Sequence, residues 1–263
     1  MKNELFSIGP FTIYGYGLMI AIGFCSAYLA CEFRAKKQKL DPELLFGILV
    51  CSLVGGLAGA KVLYWITRWK DILENPKILL DIADGFVVYG GIIGGVLVAA
   101  LYLLKKKAPF WRYFDLVMPS VALAQGFGRL GCFLSGCCYG KETDSWIGMA
   151  FHDSQYAPNG VDLIPTQLIS SGLNFLNFVI LVLLTKHRKG DGQIGALYLI
   201  FYSVGRFLME YFRGDLIRGT VGSVTTSQFI SIFMFIIGVV LLVIRNGKFQ
   251  PDQETVKAEA QNM

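Results

Sequence analysis

The chain has 263 residues, of which 54% are hydrophobic and only 16% are charged, and its formal net charge is +5. Soluble domains carry about 25% charged residues, so this composition, with a mean hydropathy of +0.53, excludes a soluble domain and predicts a membrane protein. The basic balance is expected to reflect membrane topology and anionic lipid, and it gives no support to a nucleic-acid partner.

Seven stretches of the chain are apolar enough to cross a bilayer, which takes about 20 residues each. Backbone polar groups in lipid must be satisfied within the segment, so each stretch is predicted to be a helix. The predicted spans are 12–33, 44–66, 86–104, 113–138, 166–185, 192–212 and 226–244. We therefore expect an all-α, polytopic integral membrane protein.

The distribution of lysine and arginine predicts the orientation of these spans. The connections after the first, third and fifth spans, with the C-terminal tail, carry 14 of the 24 basic residues, against 7 on the other side. The positive-inside rule therefore predicts an external N-terminus and a cytoplasmic C-terminus. We expect one membrane domain, residues 1–245, with a small external head formed by a cap at about 139–165. Residues 246–263 are expected to form a flexible cytoplasmic tail.

The segment GFGRLGCFLSGCCYGK, residues 126–141, places an arginine and three cysteines at the end of the fourth span. Its glycines match a dinucleotide fingerprint, but that motif binds nucleotide only between a strand and a helix. Cys132, Cys137 and Cys138 do not have a zinc-like spacing, so no metal and no cofactor are predicted. A Cys132–Cys137 disulfide, buried structural thiols and a functional thiol all stay open as alternatives.

Arg129 is the strongest candidate for a functional residue in this segment. A guanidinium stays charged in a protein, and near the bilayer centre it costs on the order of 2.5–3.5 kcal/mol on insertion scales. Snorkelling of the side chain to the outer interface is the alternative explanation.

A second arginine lies within the polar pattern of the sixth span. Tyr198, Tyr202, Arg206 and Glu210 recur every four residues, and Arg213 follows three residues later. This spacing predicts a single polar helix face that meets the bundle interior or a wet cavity. Glu210 is expected to pair with one of the arginines, and a purely structural ion pair is one interpretation. Arginines on two spans beside tyrosines favour a receptor for an anionic head group, because guanidinium groups match phosphate oxygens.

Six motifs follow one another from about Phe11 to the last span: YGYGLM, GGLAGAKVLYW, YGGIIGG, GRLGCFLSGCCYG, PTQL and YxxxYxxxRFxxExxR. In this order they resemble the prolipoprotein diacylglyceryl transferase family. The resemblance implies a multi-pass enzyme of the bacterial cytoplasmic (inner) membrane with seven spans. Such an enzyme transfers the diacylglyceryl group of phosphatidylglycerol to the lipobox cysteine beside a prolipoprotein signal peptide, and it releases glycerol phosphate. The implied partners are these two substrates and membrane lipid.

The resemblance also implies the residues of the site. The implied catalytic residues are Arg129, Arg206, Glu210 and Tyr89. The implied substrate-binding residues are Arg129, Tyr16, Lys61, Tyr202, Gln167 and Gly91.

The chain departs from the family pattern at several of these motifs. Tyr89 stands where the family has a histidine, Lys61 where it has an arginine, and Ile164 where it has a histidine or serine. Two asparagines and a glutamate of the family are replaced by Cys132, Ser135 and Cys137. The chain resembles a branch of the family that has this GCFxxGCCYG form. The arginines that bind phosphate remain, whereas the proton acceptor is open among Tyr89, Tyr202 and Glu210.

Two alternatives to this function follow from the sequence. The missing histidine suggests a diverged transferase that uses another acceptor or another lipid. An anion or lipid transporter belongs to a different class, but the sequence contains neither an internal repeat nor an obviously broken helix.

Overall fold

The computed structural model describes residues 4–8, 11–80, 85–215, 219–222 and 224–249. The long helices are α1 (Gly15–Lys37), α2 (Pro42–Thr67), α4 (Val88–Lys105), α5 (Phe110–Ser135), α6 (Thr166–Leu184), α7 (Gln193–Glu210) and α8 (Thr226–Ile244). A short helix α3 (Trp69–Glu74) and two 3-10 turns (Pro76–Leu80 and Thr185–His187) lie between them. Three antiparallel strand pairs are formed by β1 (Glu4–Ile8) with β2 (Phe11–Tyr14), β3 (Met149–Ala150) with β4 (Asp162–Leu163), and β5 (Thr220–Val221) with β6 (Val224–Thr225).

Each of the seven predicted spans corresponds to one long helix, and the all-α polytopic membrane fold is confirmed. Helices α1, α2, α4, α5, α6 and α8 have the length and hydropathy of membrane spans. Helix α7 is not among these six, because Arg206, Glu210 and its tyrosines lower its mean hydropathy. Large apolar side chains such as Leu57 and Val243 are exposed, as expected for helices that face lipid.

The chain forms two compact units, one with most of α1 and helices α5 to α8, the other with helices α2 to α4. The expectation of a single membrane domain stays a prediction, as does the orientation of the spans. Of the predicted flexible tail, residues 246–249 are described, and 250–263 lie outside the described residues.

The core of the first unit lies between α5, α6 and α7. Ala122, Leu181, Ile194, Tyr198 and Leu199 are buried there against partly buried side chains that include residues of α8. The first turn of α7 is fixed by Asp115 of α5, whose carboxylate accepts from the amides of Gly192 (2.8 Å) and Gly195 (2.9 Å). Helix α7 therefore begins at a defined position relative to α5, which fixes the register of its polar face.

Helices α2 and α4 of the second unit pack through glycines. A Cβ atom added at Gly59 would collide with the carbonyl oxygen of Gly90, and one added at Gly55 would collide with Val98 and Gly94. The spacing of four residues within Gly55/Gly59 and Gly90/Gly94 is the pattern of small residues that allows this close approach of membrane helices.

Residues 139–165 fold around a small core of their own. Phe151, Ala157 and Leu163 are buried there, and Phe133 of α5 and Tyr139 pack against them. The pairing of β3 with β4 closes this segment. Its predicted location on the external face of the membrane stays a prediction.

Candidate functional site

Helix α5 ends at Ser135, three residues before the end of the predicted span. Gly136 adopts a left-handed conformation with φ of +75°. Its amide donates to the carbonyl of Phe133 (3.1 Å), and the amide of Cys137 donates to that of Cys132 (3.1 Å). This pair of bonds is the Schellman arrangement that ends helices at glycine. The chain therefore folds back, and Cys137 and Cys138 return towards Cys132.

The start of α6 holds this turn in place. The Gln167 amide nitrogen donates to the carbonyl of Cys137 (2.8 Å), and the Thr166 hydroxyl donates to that of Cys138 (2.8 Å). The Gln167 side chain is almost fully buried. Its amide thus contacts the protein backbone, and any role in substrate binding would act through the position of the turn.

Helix α7 presents its arginine in a fixed orientation. Nη1 of Arg206 lies 2.5 Å from Oε2 of Glu210, and Nη2 donates to the hydroxyl of Ser227 on α8 (2.6 Å). One turn earlier, the ring of Tyr202 stacks on Tyr198 with centroids 5.8 Å apart. The predicted pairing of Glu210 with Arg206 is present, and Tyr198 is buried with its hydroxyl donating to Gln125 (3.0 Å).

Arg213 does not lie on the helical face predicted for it, because α7 already ends at Glu210. It forms a β-bridge with Gly140 instead. Its Nε and Nη2 donate to the two carboxylate oxygens of Asp215 (2.8 and 2.6 Å). Burial opposes the charge of this guanidinium, but the hydrogen bonds to Asp215 and the nearby Cys138 sulfur outweigh burial and raise the pKa of Arg213.

One cavity of about 190 Å³ brings these residues together. Its polar lining comes from Arg129, Arg206, Arg213, Tyr202, Cys138, Thr166, Ser170, Asn174 and Asn177, and its apolar lining from Leu173, Leu176, Ile180, Phe201 and Met209. Arg206 and Arg213 each pair with a carboxylate, whereas no hydrogen bond or ion pair involves Arg129 in the part of the chain that the structure describes. The cavity therefore combines an unneutralised cation with an apolar wall.

Helix α6 contributes a polar face that the sequence analysis did not identify. Ser170, Asn174 and Asn177 line the cavity at spacings of four and three residues. That spacing is a helical repeat, and polar side chains on one face of a span are the usual sign of a site in a membrane protein. The sequence TQLISSGLNFLN, residues 166–177, contains this spacing of polar residues and could have indicated the polar face.

The three cysteines after Arg129 converge in space. No disulfide joins any of the six cysteines, all of which lie in the described ranges, so a Cys132–Cys137 disulfide is not formed. The sulfur atoms of Cys132, Cys137 and Cys138 all lie within 4.8 Å of one another. Hydrogen bonding from the Cys132 and Cys137 thiols, together with the guanidinium of Arg213, outweighs burial and lowers the pKa of Cys138. The turn at Gly136, which the spacing alone did not reveal, creates this cluster.

The remaining predicted site residues lie on α1, α2 and α4. Tyr16 of α1 packs beside Gly131, where an added Cβ would lie 3.1 Å from its ring. In the second unit, Nζ of the buried Lys61 lies 5.2 Å from the ring centroid of Tyr64. Tyr89 is exposed near the start of α4. At Gly91 an added Cβ would lie 3.3 Å from the carbonyl oxygen of Gly56, so this glycine serves helix packing.

Comparison with known proteins decides the family of the chain. The sequence model of the family described as prolipoprotein diacylglyceryl transferase matches residues 3–244. The chain belongs to this family. The resemblance drawn from the six motifs is thereby confirmed, and the assignment to a cysteine-containing branch of the diacylglyceryl transferases stays a prediction.

Individual relatives align with this chain over nearly their whole length. The phosphatidylglycerol–prolipoprotein diacylglyceryl transferase of Clostridium tetani is 46% identical over 239 residues, which cover 91% of this chain and 96% of the relative. Transferase 2 of Clostridium perfringens is 43% identical, covering 94% and 97%, and the transferase of Staphylococcus haemolyticus is 32% identical, covering 94% and 89%. The match to the family model, residues 3–244, includes the segments that form the cavity.

Proposed function

We propose that this protein is a phosphatidylglycerol–prolipoprotein diacylglyceryl transferase of the bacterial cytoplasmic membrane. It transfers the diacylglyceryl group of phosphatidylglycerol to the thiol of a lipobox cysteine and releases glycerol phosphate. The names of its relatives support the two substrates, and the six spanning helices support a location in a membrane. We also propose that the acceptor is the lipobox cysteine and that the N-terminus lies outside the cytoplasmic membrane.

The charge of the cavity is the observation that carries the proposal. Three guanidinium groups, from α5, α7 and the segment after α7, line one cavity, and two of them are neutralised by Glu210 and Asp215. Arg129 is then the guanidinium in this cavity that lacks a carboxylate partner among the described residues, which suits the single negative charge of a phosphodiester. The apolar wall formed by residues such as Leu173 and Met209 suits the lipid part of the same molecule.

The chemistry is an in-line displacement at the glycerol carbon that bears the phosphate. The acceptor thiolate forms the new C–S bond while the C–O bond breaks, and the electron pair stays on the oxygen of the departing glycerol phosphate. Arg129 and Arg206 bind the phosphate and stabilise this growing charge, and one preorganised donor of this kind contributes about 2.7–4 kcal/mol. Glu210 and Ser227 keep Arg206 aimed at the phosphate.

The reaction also requires removal of the thiol proton, for which the family histidine is absent. The Glu210 carboxylate is held in its ion pair with Arg206. Tyr202 lines the cavity and is proposed to orient the substrate. Tyr16, Lys61, Gly91 and Gln167 are proposed to support substrate binding, Gln167 through the turn that it holds. Tyr89 is proposed as a catalytic residue that orients or accepts the proton.

Replacement of a host's own transferase by this chain tests the proposal. Membranes would be assayed for transfer of label from phosphatidylglycerol to a lipobox peptide, and the mass of the product would be determined. We expect a thioether product with wild-type protein and with Arg68→Ala, an exposed control arginine. A correctly inserted protein that leaves the lipobox unmodified while consuming another lipid or acceptor would show a diverged transferase. Movement of anions across vesicles without any product would show a transporter.

A further inference from the structure

We propose that Cys132, Cys137 and Cys138 bind one zinc ion, and that the fourth ligand position of this ion takes the acceptor thiol. The first part concerns a metal site that the cysteine spacing did not predict. The second part rests on the proposed function, because it assigns the zinc to the activation of the lipobox thiol.

The geometry of the three sulfur atoms fits zinc. They lie within 4.8 Å of one another. A zinc–sulfur bond of about 2.3 Å in tetrahedral geometry separates two sulfur ligands by about 3.8 Å, so small side-chain rotations complete the site. A disulfide would use two of the three thiols, whereas a metal ion uses all of them, and thiolate is the ligand that zinc and other soft cations prefer.

The protein builds this cluster at a cost, which favours a function over chance proximity. Cys138 holds a left-handed conformation with φ of +61°, which costs on the order of 1–3 kcal/mol for a residue other than glycine. Gln167 and Thr166 of α6 clamp the carbonyls of the two adjacent cysteines. The position of the turn therefore does not depend on the metal, which gives a preorganised site.

A fixed hydrogen-bond donor also lies beside such a site. Three thiolates and a zinc ion carry a net negative charge, and the guanidinium of Arg213 lies beside the sulfur of Cys138. Hydrogen bonds from neighbouring donors to ligand sulfur atoms are the usual means of orienting and tuning zinc ligands. Arg213 is itself held by both oxygens of Asp215, so its position is fixed.

Three protein ligands and an open fourth position distinguish a catalytic zinc from a structural one. Cys138 lines the cavity that contains Arg129 and Arg206, so a zinc ion bound to its sulfur would lie beside the place proposed for the phosphate. A thiol that coordinates zinc gives up its proton on binding, which is released to solvent. The acceptor is then a thiolate at neutral pH without a general base, which removes the need for the absent histidine.

The charge of the zinc ion does not change during the transfer step. The zinc-bound thiolate attacks the glycerol carbon, the C–S bond forms, and the C–O bond to phosphate breaks with its electron pair remaining on oxygen. The product sulfur becomes a neutral thioether, which is a much weaker ligand than a thiolate, so the lipidated protein leaves the zinc. No electron is gained or lost by the metal, in keeping with the absence of redox chemistry at zinc.

Metal analysis of the full-length protein, purified in detergent and supplied with zinc, tests the site. We expect one zinc per chain, and a cobalt-substituted protein with an intense thiolate-to-cobalt absorption. Cys132→Ser, Cys137→Ser and Cys138→Ser should each lose this absorption, whereas Cys137→His should keep bound metal with a shifted spectrum. Cys51→Ser, on α2, is the matched control and should retain both the bound zinc and the thiolate-to-cobalt absorption. Wild-type protein without stoichiometric zinc, or with the cobalt spectrum of the serine variants, overturns the proposal.

An activity measurement separates the metal site from the proposed function. We expect chelation to abolish transfer to a lipobox peptide and added zinc to restore it. Full transfer by protein shown to be metal-free overturns the activation of the acceptor and leaves the transferase assignment standing. Stoichiometric zinc in a protein that transfers nothing from phosphatidylglycerol overturns the assignment and leaves the metal site standing.

Discussion

Arg206 is held by Glu210 one turn further along the same helix, with Nη1 and Oε2 separated by 2.5 Å. Arg129 shares the cavity with Arg206 but has no acidic partner in the described part of the chain. The ion pair with Glu210 fixes the direction of the Arg206 guanidinium and leaves the pair with little net charge. The Arg129 guanidinium supplies the positive charge that attracts an anion. The two arginines therefore differ in function, and substitutions should distinguish them.

Loss of the unpaired cation should abolish binding of the phosphate. We expect Arg129→Ala to reduce kcat/KM by at least about 100-fold, because one preorganised donor is worth about 2.7–4 kcal/mol to the transition state. Arg129→Lys should recover only part of this loss, since lysine cannot form a two-pronged contact with phosphate. The measurement is transfer from phosphatidylglycerol in reconstituted vesicles. Activity close to wild type in Arg129→Ala, beside an unaffected Arg68→Ala control, would contradict the binding role.

Removal of the Ser227 hydroxyl should misdirect Arg206 without removing its charge. A hydrogen bond to a charged group is worth about 1.5–3 kcal/mol, so Ser227→Ala should reduce kcat by roughly 10-fold to 100-fold. Binding of phosphatidylglycerol should weaken less than turnover, because the charge of the cavity is unchanged. Ser231→Ala, which removes only a hydroxyl bonded to its own helix, is the control. Equal rates in both variants would show that the Ser227 contact does not position the arginine.

The glycine contact between α2 and α4 should tolerate no side chain. Gly90→Ala would drive a methyl group into the carbonyl of Gly59, and overpacking of this kind costs about 1–3 kcal/mol. Gly172→Ala on α6 meets nothing within 4 Å and should leave the thermal midpoint unchanged or slightly raised. Thermal unfolding in detergent compares the two variants. Similar midpoints would mean that the two helices do not approach as closely as described.

The thiol of Cys138 should react at a lower pH than an ordinary cysteine. Its lowered pKa means that the thiolate is already populated below the usual value of about 8.5. After removal of metal, we therefore expect the rate of Cys138 alkylation to stay high as the pH is lowered through about 8.5 and to fall only at lower pH. The rate is followed by peptide mass spectrometry. Arg213→Gln removes the nearby charge and should move the profile to higher pH. Coincident profiles for the two proteins would contradict the assigned influence of the guanidinium.

Helical organisation could be predicted from the sequence because lipid demands long apolar segments with internally satisfied backbones. Each predicted span lies within a few residues of a helix, from 12–33 against Gly15–Lys37 to 226–244 against Thr226–Ile244. The errors lie at helix ends. The left-handed turn at Gly136 is a local helix-end signal that was passed over because the apolar run continues to residue 138. The bridge of Arg213 depends on Gly140, which is distant in the sequence and which no local pattern encodes.

The charged residues of the candidate site could be predicted from the sequence, because burying a charge in a membrane span costs free energy. Arg129, Arg206 and Glu210 stand out because charges in a span require a reason, and the structure brings the two arginines to one cavity. Asn174 and Asn177 were missed because an amide in an apolar helix is a weaker signal. The cysteine cluster could not be derived from its spacing, because three sulfur atoms converge only after the chain reverses direction at Gly136.

Joint binding of one phosphate by Arg129 and Arg206 can be tested with an experimental structure that contains a phosphatidylglycerol analogue resistant to transfer. We predict that the phosphate accepts hydrogen bonds from the guanidinium groups of both Arg129 and Arg206, with the acyl chains along the side of the cavity formed by Leu173 and Met209. A head group bound elsewhere, in a preparation that is active before the analogue is added, would contradict the account.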